Sequence, residues 1–488
     1  MTIPKEVKST VEKLEKAGFE AYIVGGCVRD FLANKEPEDW DVTTNAKPEE
    51  IKKLFPKSFY ENKFLTVTVQ VKSSNPKLQE IEITTFRSEA KYSDKRHPDQ
   101  VLFAKTLKED LARRDFTVNA IALKLLKTGK TEIIDLFSGQ EDLKNKIIRA
   151  VGNPKERFAE DSLRMMRAAR FATTLGEKWQ IEKDTKEAII KNAPWLQAIS
   201  KERIRDEFLK IIMADNASQG VELLRELKLL KHIIPELEEG YEVGQNKHHI
   251  YNCYEHSLFS LKFAAQKKFN QSVRLAALFH DIGKPKAKRG QGPNSTFYSH
   301  EIIGAKMTVQ ILERLRFSKK DIEKITKLVR YHLFYYNVGE VSESSVRRLV
   351  RQVGTENMEE LLQVRMADRI GSGVPKAEPY KLRHLKYIID KVAQDPISAK
   401  MLKVNGNEVM KILKIEPGPK IGQVLDILLS QILENPKNNQ KVFLEKEVKK
   451  LGKLSEKELQ ALAQKAKKER EQLEYKKDAM TKNKYWVT

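Results

Sequence analysis

The sequence predicts an α+β fold in which an N-terminal head built around a mixed sheet is followed by helical domains. Two patterns support this prediction. Segments in which apolar and polar residues alternate, as they do in half-buried strands, are confined to roughly the first 150 residues. Beyond that point apolar residues recur with the three-to-four-residue spacing of helices, so the remainder of the chain is expected to be all α.

In the head, a helix is expected over residues 5–17, with apolar residues on one face. The segment FEAYIVGG then predicts a short strand that runs into a glycine turn. Alternation predicts further strand structure at 64–71, 79–86, 117–125 and 131–136.

The helical part is read from the spacing of its apolar residues. Helices are predicted at 156–172, 184–192, 202–213, 217–229, 254–267, 271–280, 300–316, 319–334 and 342–352. From about residue 440 the chain is rich in Lys and Glu, and Leu459, Leu462 and Ala466 can form a narrow apolar side. We interpret this tail as a solvated helix or a partly disordered segment in preference to a dedicated RNA-binding arm.

The composition narrows the class of protein. The 488 residues include 90 Lys and Arg against 68 Asp and Glu, a net charge of +22 that favours a polyanionic partner such as nucleic acid, or an anionic membrane surface. Two cysteines cannot form a disulfide framework, which indicates a reducing compartment and a cytoplasmic location. No apolar run is long enough for a transmembrane helix, the N-terminus lacks a signal-peptide pattern, and no feature predicts a stable protein partner.

The glycine turn in GGCVRD has the features of a phosphate-binding turn. Gly25 and Gly26 follow the predicted strand and precede a predicted helix. Glycine allows a close backbone approach, and a helix N-terminus offers amide donors to an anion. Arg29 can pair with phosphate oxygens through its forked guanidinium.

Two carboxylates follow in EDWDVTT. In an extended segment Asp39 and Asp41 point to the same face, where they repel one another unless a cation lies between them. Mg²⁺ suits such a pair because it combines a few carboxylates with water and substrate phosphate. Glu82, on a predicted strand, offers a third carboxylate, although it is equally explained as a solvent-facing strand position.

These residues resemble the class II nucleotidyltransferases, the family of tRNA CCA-adding enzymes and bacterial poly(A) polymerases. The resemblance continues in the same order through TTFRSEAKYSDKRHPDQVLF (84–103), EDLARRDFTVNAIAL (109–123), RFAEDSLRMMRAARFA (157–172) and ERIRDE (202–207). It implies a nucleotidyltransferase head in which Asp39, Asp41 and Glu82 are catalytic, with Asp39 and Asp41 as the ligands of Mg²⁺ and Glu82 in an assisting role. It also assigns an arginine of RRDF to the nucleotide, for which we favour Arg114, and links the loop at 87–99 to the switch from C to A addition.

The segment EDSLR suggests how bases are chosen. On the predicted helix Asp161 and Arg164 are i, i+3 neighbours and share a face, which Arg167 and Arg170 extend. Cytosine and adenine each present an amino donor beside a ring-nitrogen acceptor, which a carboxylate and an arginine can match. The resemblance implies that Asp161 and Arg164 select CTP and ATP, and Arg167 and Arg170 then suit the triphosphate.

A second metal pattern lies in the helical half. His256, the pair His280-Asp281 and Asp368 occur in the H…HD…D order of HD-type phosphohydrolases, which residues 247–370 resemble. Imidazole with carboxylate suits a transition metal such as Ni²⁺, Mn²⁺ or Co²⁺, and such an ion activates water for attack on phosphorus. Further histidines, which are not assigned as ligands, are His248, His249, His300 and His332.

Together these features predict an enzyme that adds CCA to tRNA 3′ ends from CTP and ATP, with HD-type repair of RNA ends as an added activity. The predicted domains are the head (1–148), a helical neck and body (149–243), an HD-type domain (244–372) and a basic helical tail (373–488). The alternatives are a poly(A) polymerase or A-adding enzyme, an HD hydrolase whose head only docks RNA, and a non-enzymatic RNA-binding scaffold.

Overall fold

The computed structural model of the chain describes residues 2–61, 66–90, 100–126, 128–245, 250–393 and 402–487. Two compact units are present. Unit 1 comprises Met1–Leu333 with Glu360–Pro375, and unit 2 comprises Phe334–Glu359 with Lys376–Thr488. The boundaries of the four predicted domains stay predictions.

The strands all belong to unit 1. In chain order they are β1 (Ala21–Val24), β2 (Asp41–Thr44), β3 (Ser58–Glu61), β4 (Thr66–Gln70), β5 (Glu80–Thr85), β6 (Arg87–Ala90), β7 (Gln100–Phe103), β8 (Ile121–Leu125), β9 (Thr131–Asp135), β10 (Ile147–Ile148) and β11 (Gln180–Ile181).

The head is organised around a seven-stranded mixed sheet with the order β3-β4-β5-β2-β1-β8-β9. Strands β2 and β5 are parallel, and their neighbours pair antiparallel, as in β1 with β2 and β8 with β9. The first helix packs its apolar side chains Val7, Val11 and Leu14 into the main core beneath this sheet. The predicted mixed sheet is thus confirmed, and β3 is an edge strand that the sequence analysis missed.

The described residues also form α-helices. In chain order they are α1 (Lys5–Lys16), α2 (Gly26–Leu32), α3 (Pro48–Leu54), α4 (Leu107–Ala112), α5 (Gly139–Asn145), α6 (Pro154–Glu160), α7 (Leu163–Thr174), α8 (Lys183–Asn192), α9 (Lys201–Met213), α10 (Ala217–Glu226), α11 (Leu230–Ile233), α12 (Pro235–Glu238), α13 (Cys253–Gln266), α14 (Gln271–Phe279), α15 (Lys284–Ala287), α16 (His300–Arg314), α17 (Lys319–Tyr331), α18 (Glu343–Val353), α19 (Met358–Gly371), α20 (Tyr380–Ala393), α21 (Gly406–Leu413), α22 (Pro419–Glu434), α23 (Lys441–Leu451) and α24 (Glu456–Lys484).

The single helix predicted over 156–172 is wrong, because the chain leaves the helical conformation between α6 and α7. Asp161 is extended, with φ −139° and ψ 103°. The Ser162 hydroxyl donates to the Phe158 carbonyl at 3.0 Å, and Asp161 Oδ1 accepts from the Leu163 amide at 3.1 Å. Such local side-chain bonds to the backbone compete with a continuous helix. Asp161 and Arg164 therefore do not share one helical face.

The segment predicted as a mobile loop at 87–99 contains regular structure at its start. Strand β6 pairs antiparallel with β7, with Arg87 opposite Phe103. The prediction of an irregular loop is therefore wrong for residues 87–90, and residues 91–99 lie outside the described part of the chain.

The tail forms part of the core of unit 2. Helix α24 contributes Leu459, Ala463 and Ala466 to a buried cluster with residues of α22 and α23, and Arg470 pairs with Asp426 at 3.0 Å. Leu462, which was predicted on the apolar side, is 41% exposed. The predicted apolar side is therefore confirmed for Leu459 and Ala466 and wrong for Leu462, and the interpretation of the tail as a solvated helix or a partly disordered segment is wrong for the first half of α24.

None of the helices within the described ranges has both the length and the apolar composition that crossing a bilayer requires.

Candidate active sites

The sheet of the head places the three predicted carboxylates on one face. Trp40 is 4% exposed and packs in the core against Phe31, with ring centroids 6.4 Å apart. Its neighbours Asp39, in the turn before β2, and Asp41, the first residue of β2, therefore point away from that core. Asp41 and Glu82 are register partners on the parallel strands β2 and β5, which puts their side chains on the same face.

The electrostatics of this face favour a bound cation. Burial, followed by the charges of Asp39 and Glu82, raises the pKa of Asp41 to about 7, although Arg114 opposes the shift. At neutral pH a cation bound beside this carboxylate would favour its ionised form, and carboxylate oxygens are the ligands that Mg²⁺ prefers. Asp39, Asp41 and Glu82 do not, however, form a cluster with all ligand atoms within 4.8 Å, since the described residues contain such clusters only among residues 256–368.

Gly25 lies directly against this face. Strand β1 ends at Val24 and α2 begins at Gly26, which confirms the predicted strand–turn–helix. Gly25 has φ +86°, and a Cβ built on it would lie 3.1 Å from Asp41 Oδ2 and 3.2 Å from Arg114 Nη1. The turn therefore requires glycine at position 25 for two reasons: the positive φ, and the lack of space for a Cβ. The same geometry puts the Arg114 guanidinium beside Asp41.

Replacing Gly25 with Ala is expected to destabilise the head by about 1–3 kcal/mol through backbone strain and to disturb Asp41 and Arg114 as well. Gly18 is the matched control, since it has φ +91° with no atom among the described residues within 4 Å of its Cβ position. Both variants should lower the melting temperature, but only Gly25→Ala should also impair nucleotide incorporation. Equal activity of the two variants would contradict the close approach at Gly25.

Asp110 holds two arginines of the RRDF motif. Its carboxylate is fully buried and accepts from Arg113 Nη2 at 2.9 Å and from Arg114 Nη2 at 3.4 Å. Burial alone would raise the pKa of Asp110, but Arg113 and Arg114 outweigh it and hold that pKa below its ordinary value. Asp110 was not singled out by the sequence analysis, because a carboxylate four residues before an arginine is a common surface pattern.

A buried network joins the head to α7. Arg29 Nη1 donates to Asn119 Oδ1 at 2.8 Å, and Asn119 Nδ2 donates to Asp115 Oδ1 at 3.1 Å. Asp115 Oδ2 accepts from Arg167 Nε at 2.8 Å. Burial alone would raise the pKa of Asp115, but Arg167 and the Asn119 bond lower it to about 2. Asp115 is thus an ionised anchor for Arg167.

Three predicted phosphate ligands surround the ring of Phe171. The guanidinium carbons of Arg29, Arg167 and Arg170 lie 5.4, 5.4 and 3.9 Å from its centroid. Arg170 Nε also donates to Glu207 Oε2 at 2.6 Å. The sequence predicted the arginines, and the structure adds the ring and the carboxylates that hold them in place.

The predicted base-reading residues have separate partners. Asp161 pairs with Arg203 of α9, with 2.7 Å between Oδ2 and Nη2. Arg164 is 8% exposed, donates to Glu160 Oε2 at 2.6 Å and donates to the Arg113 carbonyl at 3.0 Å. Each side chain is therefore fixed by tertiary contacts rather than by a shared helix.

The four predicted HD-type ligands converge in a buried cluster. The ligand atoms of His256, His280, Asp281 and Asp368 all lie within 4.8 Å of one another. The two histidine Nε2 atoms are 2.8 Å apart, His256 Nε2 lies 3.0 Å from Asp281 Oδ2, and His280 Nε2 lies 3.6 Å from Asp368 Oδ1. Four mixed imidazole and carboxylate ligands facing one point fit a transition-metal ion.

Asp281 is shared with a second group that contains His300 and His332. Their Nε2 atoms lie 3.2 and 3.6 Å from Asp281 Oδ1. In His280, His300 and His332 the Nδ1 atom lies 2.7 to 2.9 Å from a backbone carbonyl, which leaves Nε2 directed at the cluster. Within the described ranges the buried His300 Nε2 has no hydrogen-bond partner, as is expected of a nitrogen that binds a metal ion. His248 and His249 lie outside the described residues.

Comparisons with known proteins match this architecture. The chain matches the family models for the "Poly A polymerase head domain" over residues 21–149, the "Probable RNA and SrmB- binding site of polymerase A" over residues 179–240, and the "HD domain" over residues 253–372. The CCA-adding enzyme of Ligilactobacillus salivarius is 35% identical over 463 residues, which cover 92% of this chain and 98% of that enzyme.

This chain belongs to the CCA-adding enzyme family. The CCA-adding enzyme of Enterococcus faecalis is 34% identical over 452 residues, which cover 91% of this chain and 96% of that enzyme. The structure of the Bacillus stearothermophilus CCA-adding enzyme in complex with CTP is 26% identical and matches with a TM-score of 0.57 over 92% of this chain and 98% of that one.

Membership of the CCA-adding enzyme family confirms the predicted α+β fold, the nucleotidyltransferase class and the HD domain. The scaffold alternative loses its support, because the chain is an enzyme. Both the nucleotidyltransferase head and the HD domain imply dependence on divalent metal.

Proposed function

We propose that the chain adds C, C and A to tRNA 3′ ends from CTP and ATP. The observation that carries this proposal is the acidic face of the head, where Asp39, Asp41 and Glu82 lie on one side of the sheet beside Gly25 and Arg114. Full-length similarity to CCA-adding enzymes supports it over a head that only docks RNA. The net charge of +22 suits a polyanionic substrate, and tRNA binding should weaken steeply with salt. We also propose that the protein is cytoplasmic.

In the proposed reaction the carboxylates of Asp39 and Asp41, with Glu82, bind Mg²⁺. Mg²⁺ there would assist ionisation of the attacking 3′-hydroxyl and neutralise charge on the leaving pyrophosphate. Gly25 and Gly26 let the triphosphate approach the turn. Arg114, which lies beside Asp41, can pair with the triphosphate. Arg29, Arg167 and Arg170 supply further positive charge.

Base selection is assigned to Asp161 and Arg164. The Asp161 carboxylate accepts from the exocyclic amino group of cytosine or adenine, and Arg164 donates to the adjacent ring nitrogen. Uracil and guanine have the opposite polarity, so both protein groups would be left unpaired.

Labelled CTP and ATP, supplied to a tRNA transcript that lacks its last three nucleotides, test the assignment. Addition of two C and one A, with no further extension, is expected. Long A tails without use of CTP would favour the poly(A) polymerase alternative, and addition of a single A only to a tRNA ending in CC would favour an A-adding enzyme.

We also propose that the HD domain removes terminal phosphate or opens 2′,3′-cyclic phosphate on RNA ends, which would prepare the 3′-hydroxyl for addition. His256, His280, Asp281 and Asp368 would hold a transition-metal ion such as Ni²⁺, Mn²⁺ or Co²⁺, which would supply a nucleophile from water at neutral pH. The second group, His300 and His332 with the shared Asp281, is proposed to bind a second ion.

Counting the bound metal ions distinguishes an HD site that holds one ion from an HD site that holds two. In a variant with Asp39→Asn and Asp41→Asn, which removes two of the three head carboxylates, Mn²⁺ titration should give two ions per chain and a spin-coupled electron paramagnetic resonance signal. Adding His332→Gln should remove one ion and the coupling. A single uncoupled ion in the first variant would contradict the second site.

A further inference from the structure

We propose that Arg203 is the positioning residue that gives the enzyme its preference for C and A. The inference rests on the proposed reading of the base by Asp161 and Arg164. Arg203 would not touch the nucleotide, but it would fix the direction in which the Asp161 carboxylate presents its oxygens.

The break between α6 and α7 creates the need for such a residue. In a continuous helix the backbone would set the relation of Asp161 to Arg164. Asp161 instead has extended backbone angles, so helix geometry does not fix its side chain. The side chain must be held by other contacts, of which the bond from the Leu163 amide is local and the bonds from Arg203 come from elsewhere in the fold.

Arg203 supplies that hold through a two-point contact. Its Nη1 donates to Asp161 Oδ1 at 3.3 Å and its Nη2 donates to Oδ2 at 2.7 Å. A forked pair fixes orientation as well as distance, which a single ammonium contact does not. The Asp161 side chain is 17% exposed and that of Arg203 is 34% exposed, so the pair is partly shielded from water.

The contact leaves Asp161 able to bind a base. Oδ1 accepts from the Leu163 amide and from Arg203 Nη1, whereas Oδ2 accepts from Arg203 Nη2 alone among the described hydrogen bonds. Since a carboxylate oxygen accepts two hydrogen bonds, Oδ2 retains capacity for an exocyclic amino group.

Helix α9 aligns two side chains at once. Arg203 and Glu207 are i, i+4 neighbours on one face of α9, and Glu207 holds Arg170 at 2.6 Å. The next residue, Ile204, is fully buried, as are Phe208 and Ile211. The helix that orients Asp161 is therefore itself anchored in the core.

The test measures kcat/KM for CTP, ATP, UTP and GTP on tRNA substrates of the appropriate length. In Arg203→Gln the values for CTP and ATP should fall while those for UTP and GTP do not, so that discrimination drops on the order of 10–100-fold. Arg203→Lys keeps the charge without the fork and should recover only part of the loss. Arg205→Gln, two residues along α9 and paired with Asp206 at 2.8 Å, is the control that should keep full discrimination.

An equal fall for all four nucleotides would identify a purely structural role and overturn the inference, as would unchanged discrimination in both Arg203 variants. The Asp161→Asn variant distinguishes failure of the Arg203 inference from failure of the proposed function. If Asp161→Asn also leaves discrimination intact, the base-reading assignment is wrong, whereas loss in Asp161→Asn alone rejects only the role of Arg203.

Discussion

Asp41→Asn is expected to reduce nucleotide incorporation by roughly 10³-fold or more, because the amide keeps the shape of the side chain but loses the charge that would hold Mg²⁺. HD-type hydrolysis by the same variant should be unchanged. Glu80→Gln, on the exposed side of β5 two residues before Glu82, is the matched control and should retain full incorporation.

The same variant should be more stable than the wild type when metal is absent. The pKa of Asp41 is about 7 in the folded protein against 3.8 ordinarily, so the folded state binds the proton more tightly. As pH rises from 4 to 7 the wild type therefore loses stability at this site, by at most roughly 4 kcal/mol. The amide introduced by Asp41→Asn does not titrate, which predicts a higher melting temperature for the variant at pH 8 in EDTA and a much smaller difference at pH 4.

Scanning fluorimetry at the two pH values, with EDTA and with Mg²⁺, gives the measurement. Mg²⁺ should raise the melting temperature of the wild type more than that of Asp41→Asn. Retained incorporation in the variant would remove Asp41 from the catalytic set, and equal melting temperatures at pH 8 in EDTA would contradict the electrostatic account of the acidic face.

Asp281→Asn should have the converse effect. Because Asp281 belongs to both candidate metal groups, the substitution should abolish binding of HD-site ions and reduce phosphate hydrolysis by roughly 10³-fold, with CCA addition retained. Burial would raise the pKa of Asp281, but His280 and Lys284 hold it well below its ordinary value, so the wild-type carboxylate is ionised, as the proposed ligand role requires.

Metal content by mass spectrometry, hydrolysis of a 2′,3′-cyclic phosphate RNA end and nucleotide incorporation form the three measurements. Asp215→Asn, an exposed carboxylate outside both groups, is the control for loss of one negative charge. Since Lys284 Nζ lies 2.7 Å from Asp281, some loss of stability is also expected. Hydrolysis that survives in a folded, metal-free variant would rule out the assigned HD site.

Local periodicity predicted most of the fold. The i, i+2 spacing of Asp39 and Asp41 placed both on one face, and the burial of the intervening Trp40 agrees. The break at Asp161 could not be read from the apolar pattern of 156–172, because it depends on the hydroxyl of Ser162 and the carboxylate of Asp161 bonding to the backbone. Apolar spacing carries no information on such bonds.

Long-range partners were the other part that the sequence could not supply. Nothing in the local sequence distinguishes these partners from ordinary charged residues. The fold pairs Arg203 with Asp161, Glu207 with Arg170, and Asp115 with Arg167. His300 and His332 were visible in order along the chain. Their approach to Asp281, however, depends on the placement of α16 and α17 against the end of α14, which spacing does not predict.

The three arginines around Phe171 bear on the conformational entropy that binding a triphosphate would cost. Long cationic side chains lose much rotational freedom when they close on a ligand. Here Arg29, Arg167 and Arg170 already lie against the ring and are tied to an amide or a carboxylate. Most of that freedom is lost when the protein folds, so a triphosphate bound at the proposed site would need little further ordering of the protein.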